Sequence, residues 1–79
     1  GYGQFGPLRS RAGHDLNYQA LTGMLDATRA PDGSVALPGV QAADLAGGAF
    51  CAALAIVAAL LQRVRTGKGQ YLDISMTDG

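Results

Sequence analysis

The sequence predicts an α/β fold class, and three observations carry that expectation. From Leu45 to Leu61 the chain has no charged residue and is rich in Ala and Leu, the strongest apolar helix formers. From Gln70 to Met76 residue character alternates, with Leu72, Ile74 and Met76 set against Tyr71, Asp73 and Ser75, which is the period of a half-buried strand. Turn and breaker residues separate the elements: Pro31-Asp32-Gly33, Pro38-Gly39 and Gly67-Lys68-Gly69.

Taken in order, residues Gly1 to Gly13 read as loop. The spacing Gly1-x-Gly3-x-x-Gly6 matches a dinucleotide fingerprint literally, but that motif needs a helix opening at its third glycine, and Pro7-Leu8-Arg9-Ser10-Arg11 follows instead. Asp15 to Leu25 reads as a short helix with Leu16, Ala20, Leu21, Met24 and Leu25 on one face and Asp15 as its N-cap. Ala27 to Gly39 is irregular. A long helix runs from about Ala43 to Arg65 and ends at Thr66-Gly67, with Gly67 the C-cap. Ala and Gly fill most of its faces, and an all-round apolar helix is expected to be buried. Gly47 and Gly48 weaken a helix interior, so their expected use is close approach by another backbone or a ligand. Asp44 at the start and Arg63, Arg65 and Lys68 at the end match the helix macrodipole.

The totals narrow the function classes. The chain has 79 residues and is 48% hydrophobic, a modest length for covering such a helix. The expectation is that residues 1–79 are an internal part of a larger domain and contain no complete one. Net charge is zero and no basic patch stands out, so nucleic acid is not an expected partner. The single Cys51 gives neither a disulfide framework nor a metal spacing, and no metal site is expected. The uncharged run falls short of the roughly 20 residues of a membrane span, and no amino-terminal signal pattern is present. The expectation is therefore a cytoplasmic protein with no membrane partner.

Two residues could carry chemistry. His14 is the sole histidine and stands just before a helix; a lone histidine is more often a structural or surface residue, but the side chain also suits proton transfer near neutral pH. Asp44, at the start of the long helix, fits an N-cap and also a base favoured as the carboxylate by the helix terminus. Residue types and spacing leave both pairs of readings open.

The blocks Gly13-His-Asp-Leu-Asn-Tyr18, Leu21-Thr-Gly23, Ala43-Asp-Leu-Ala-Gly-Gly48, Arg65-Thr-Gly-Lys-Gly-Gln70 and Asp73-Ile-Ser-Met-Thr-Asp-Gly79 resemble successive blocks of the family III CoA-transferases. Within that family they most resemble the alpha-methylacyl-CoA racemase branch. Only the Ala27–Pro38 loop lacks a match. The resemblance implies that the chain is a loop, two helices and a strand of a Rossmann-like, CoA-binding large domain. It implies His14 and Asp44, 30 positions apart, as the two proton-transfer residues. It implies that Gly13, Asp15, Leu16, Asn17 and Tyr18 line the acyl-CoA site.

Inverting the carbon beside a thioester carbonyl needs one group to take the proton and another to return it on the opposite face. The enolate oxygen between these steps needs donors, for which Gly47 and Gly48 are the candidates, with the thioester lying against their backbone N–H groups. No cofactor is implied, because the CoA thioester is itself the substrate. The partners implied are acyl-CoA and a second subunit, since members of the family are intertwined dimers. In the transferases the residue matching Asp44 is a nucleophile that forms acyl and CoA adducts, and the histidine is generally absent. A third reading is a non-catalytic helical segment that only packs. The basic residues that hold the CoA phosphates are not among these blocks, so residues 1–79 alone are expected to be inactive.

Overall fold

A computed structural model describes all residues, 1–79. Two short helices, α1 (Asp15–Leu21) and α2 (Met24–Ala27), precede one long helical rod. The rod begins as a π-helical segment, Ala43–Phe50, and continues without a break as α3, Cys51–Thr66. The overall extents are 55 × 26 × 14 Å.

The single helix expected over Asp15–Leu25 is divided in two. The Thr22 hydroxyl donates to the carbonyls of Tyr18 and Gln19 at 2.9 and 3.3 Å, closing the last turn of α1. Gly23 then takes φ +83°, a left-handed conformation that ends a helix readily. The N-cap is His14, not Asp15: His14 is extended, and its N–H donates to Asn17 Oδ1 at 2.9 Å, one half of a capping box. The face that α1 buries is also not the apolar one. Asp15, Tyr18 and Gln19 are buried, while Leu16, Leu21 and Met24 are exposed. The polar residues win that face because they bind the start of the rod.

The rod matches the expected Ala43–Arg65 helix in extent and ends at Gly67, whose φ is +71° and whose N–H donates to the Arg63 carbonyl at 2.8 Å. It spans 24 residues, long and apolar enough by length and composition to cross a membrane, although its uncharged core is shorter. Residues 1–79 alone leave the faces of this helix open, as expected of a chain with too little else to cover them: α3 buries none of its residues, and Phe50, Leu54, Val57 and Val64 are open to solvent. Two short helices cannot cover a rod of this length.

The strand expected over Gln70–Met76 is also corrected: the chain forms no strand. A strand exists through ladder bonds to a neighbour, and no backbone ladder forms along Gln70–Ile74. Burial still keeps part of the alternation, with Tyr71 and Asp73 exposed and Leu72 and Ile74 half-buried. Ser75 departs from it, being buried where its Oγ donates to the Gly1 carbonyl at 3.0 Å. Thr77 N–H donates to the same carbonyl at 3.3 Å. The turn over Met76–Asp78 thereby rests between the first residue and the rod.

The small core lies at this junction. Ala43 and Gly47 from the rod, Tyr18 and Gln19 from α1, and Ser75 meet there. A Cβ on Gly47 would stand 2.7 Å from the Met76 carbonyl oxygen, so this glycine allows two backbones to touch.

Candidate active site

The largest cleft, about 900 Å³, opens between the start of α1 and the start of the rod. One wall is His14, Asp15, Leu16 and Asn17; another is Asp44 and Leu45; the third is the segment Leu37–Gln41. Local folding explains the placement of each part. His14 is the N-cap of α1, so its side chain stands outside the helix at the amino-terminal end, exposed to the cleft. Asp44 lies in the first turn of the π-helical segment and is half-buried. Runs of π-helix are rare and recur at functional sites, because they re-aim side chains that an α-helix would place elsewhere.

Asp44 does not cap its own helix. Its backbone N–H donates to Asp15 Oδ1 at 2.9 Å, so the capping carboxylate comes from α1. The Asp44 side chain is left for other use at a helix start, where the unsatisfied N–H groups favour negative charge. Asp15 in turn accepts a bond from Gln19 Nε2 on its second oxygen. Asp15, exposed by only 7%, is therefore the tie between α1 and the rod, with both oxygens engaged inside the protein.

The remaining candidates from the sequence divide by place. Leu16 and Asn17 share the cleft with His14 and Asp44. Gly13, Tyr18, Gly47 and Gly48 do not line it. Gly13 lies under two tyrosine rings: a Cβ there would stand 2.9 Å from Tyr18 Cε1 and 2.9 Å from the Tyr2 hydroxyl. Tyr18 and Tyr2 pack edge to face with centroids 5.0 Å apart. Burial, the neighbouring Tyr2 and the charge of Asp44, in that order, push the Tyr18 phenol above its usual pKa, so it stays neutral. Gly47 meets the Met76 backbone and Gly48 the Met76 side chain, which turns both away from the cleft. Their placement gives them a packing use against Met76.

Two features escaped the sequence. The wall Leu37–Gln41 lies in a stretch read only as a breaker. Gln19 had no reading at all, although its spacing of four from Asp15 on a helix is the spacing at which a Gln amide meets a carboxylate.

The sequence model of CoA-transferase family III matches residues 1–79. This chain belongs to CoA-transferase family III. It is 47% identical to mouse succinyl-CoA:glutarate CoA-transferase over 96% of its length, covering 17% of that protein. It is 44% identical to human alpha-methylacyl-CoA racemase over its whole length, covering 21% of that protein. Among solved structures, a CaiB/BaiF family protein from Brucella suis superposes with a TM-score of 0.88 at 41% identity, over 99% of this chain and 20% of that one. The family III chain thus spans about a fifth of the length of these relatives. A transferase and a racemase stand at nearly equal identity, so identity alone does not separate the two reactions.

Proposed function

We propose that this chain carries the two proton-transfer groups of an acyl-CoA racemase or epimerase that inverts the α carbon of 2-methylacyl-CoA thioesters. The observation that supports the reading is that His14 and Asp44 line one cleft while another residue, Asp15, supplies the helix cap. In one direction the neutral His14 imidazole takes the α proton, the C–H electron pair moves into the thioester enolate, and the Asp44 carboxylic acid returns a proton to the opposite face. In the other direction the Asp44 carboxylate takes the proton and the His14 imidazolium returns one. The two groups share a single proton between them; each inversion leaves it on the group that took the α proton, and exchange with water resets the pair before another inversion in the same direction. Leu16, Leu37 and Leu45 give the cleft apolar surface suited to an acyl chain.

The second reading is a family III CoA-transferase in which Asp44 forms acyl and CoA adducts; the relationship to the mouse transferase favours it. In either reading the working unit is an α/β, Rossmann-like domain in which Gln70–Met76 gains a strand partner. We place it in a cytoplasmic, intertwined homodimer that takes acyl-CoA and needs no cofactor.

Deuterated water separates the readings. A racemase incorporates deuterium at the α carbon of each epimer during turnover, and both His14→Gln and Asp44→Asn impair it. A full-length protein that exchanges no α proton but forms a hydroxylamine-sensitive acyl adduct on Asp44 is the transferase.

A further inference from the structure

We propose that Gln19 is a positioning residue that holds the Asp15 carboxylate on the backbone of Asp44 and so fixes where the Asp44 side chain stands in the cleft. The proposal rests on the reading of Asp44 as the reacting carboxylate, which both reactions above share.

Gln19 is the most deeply buried side chain in the protein, 1% exposed. Its Nε2 donates to Asp15 Oδ2, and Asp15 Oδ1 accepts the Asp44 N–H at 2.9 Å. An ionised carboxylate has only acceptors, so Gln19 must turn its NH₂ toward Asp15. That orientation leaves Gln19 Oε1 buried with no partner in the chain. A leucine would occupy similar space without the penalty of a buried, unpaired acceptor. What the amide adds is a second donor on Asp15. With one bond, a carboxylate can rotate about the axis to its Cβ. With a donor on each oxygen, its plane is fixed, and with it the direction of the bond to Asp44. The tie crosses from α1 to the rod, and α1 also carries His14 at its N-cap. Gln19 therefore helps set the spacing between the two proton-transfer groups without touching substrate.

The test uses the full-length protein with 2-methylacyl-CoA in deuterated water. The readout is α-deuterium gained by each starting epimer before inversion, and Asp44→Asn identifies the epimer whose proton Asp44 removes. Gln19→Leu is expected to lower exchange of that epimer about tenfold, since sub-ångström misplacement of a reacting group is costly in rate. Exchange of the epimer served by His14 should change less, and KM should stay within about twofold because ground-state binding is untouched. An equal loss for both epimers, or no loss, overturns the proposal. Gln19→Glu is the control for folding: a carboxyl introduced there donates to Asp15 only when protonated, so its rate relative to wild type should rise toward acid pH, and a flat ratio overturns the proposal. If the wild type exchanges no α proton, the racemase reading fails separately. The Gln19 variants are then read on the rate of the hydroxylamine-sensitive Asp44 adduct, where slowing supports the positioning role and an unchanged rate refutes it.

Discussion

A methyl group at residue 47 would collide with a backbone atom, and at residue 48 with a movable side chain. The Gly47 position faces the Met76 carbonyl oxygen at 2.7 Å, while the Gly48 position faces Met76 Cγ at 3.2 Å. Overpacking of this kind costs about 1–3 kcal/mol, and Gly→Ala in a helix returns about 1 kcal/mol. Gly47→Ala is therefore expected to destabilise the full-length protein by up to about 2 kcal/mol in urea unfolding, while Gly48→Ala should be close to neutral. Gly39, with open space around it, serves as the control. The ordering Gly47 > Gly48 ≈ Gly39 in stability lost is the result to look for. At this scale the sequence was partly legible. It marked Gly47 and Gly48 as places of close approach by another backbone or a ligand, which Met76 bears out for a backbone at Gly47, but nothing in the spacing shows that residue 76 returns to residue 47. It offered Asp44 as a cap first and a base second. The choice needed a contact between residues 29 apart, from Asp44 N–H to Asp15.

Between elements, endings were easier to read than faces. Gly67 as the end of the rod follows from local chemistry alone, because only glycine adopts a left-handed φ without strain. Gly67→Ala is expected to cost about 1–2 kcal/mol and to raise amide hydrogen exchange over the last turn, Gln62 to Thr66, more than over Ala52 to Ile56. Uniform exchange along α3 would mean that the cap does not hold that end. Faces were misread for a physical reason. Periodicity assigns the apolar side of a helix inward, yet α1 turns Asp15, Tyr18 and Gln19 inward, and Asp15 satisfies the Asp44 N–H in the first turn of the rod. The π-helical opening, with its wider i→i+5 turn, was likewise illegible, because no propensity scale separates it from an α-helix. The segment Gln70–Met76 carries a strand's alternation, but a ladder requires a neighbour that pattern alone does not supply.

The whole molecule is open rather than closed. Its radius of gyration is 15.6 Å, against about 12 Å for a compact chain of this length. The apolar side of α3 has no cover, with Leu54 at 73% and Val64 at 85% exposure. An uncovered apolar face of this kind is a surface that another part of a protein occupies. Residues 1–79 expressed alone should therefore self-associate with rising concentration in sedimentation, bind a hydrophobic dye, and unfold without a sharp calorimetric transition. A monodisperse monomer with a cooperative melt would show that the short helices suffice. The sequence did convey this mismatch, through a long uncharged helix in a chain with little else to place against it.

The bond from Asp44 to Asp15 also bears on how the site assembles in time. It closes a ring of chain whose intervening stretch runs over the exposed turn at Pro31–Gly33, where Arg29 pairs with Asp26 and reaches the Gly33 carbonyl at 2.7 Å. Helical turns form within about a microsecond from neighbours in sequence, but this ring must be searched for and shut before His14 and Asp44 share a cleft. The entropy of that closure grows slowly, by only about 0.6 kcal/mol for each doubling of the ring. Evolution can therefore lengthen the turn around Gly33 and reshape the adjoining Leu37–Gln41 wall of the cleft, while the knot at Asp15 keeps His14 and Asp44 in register.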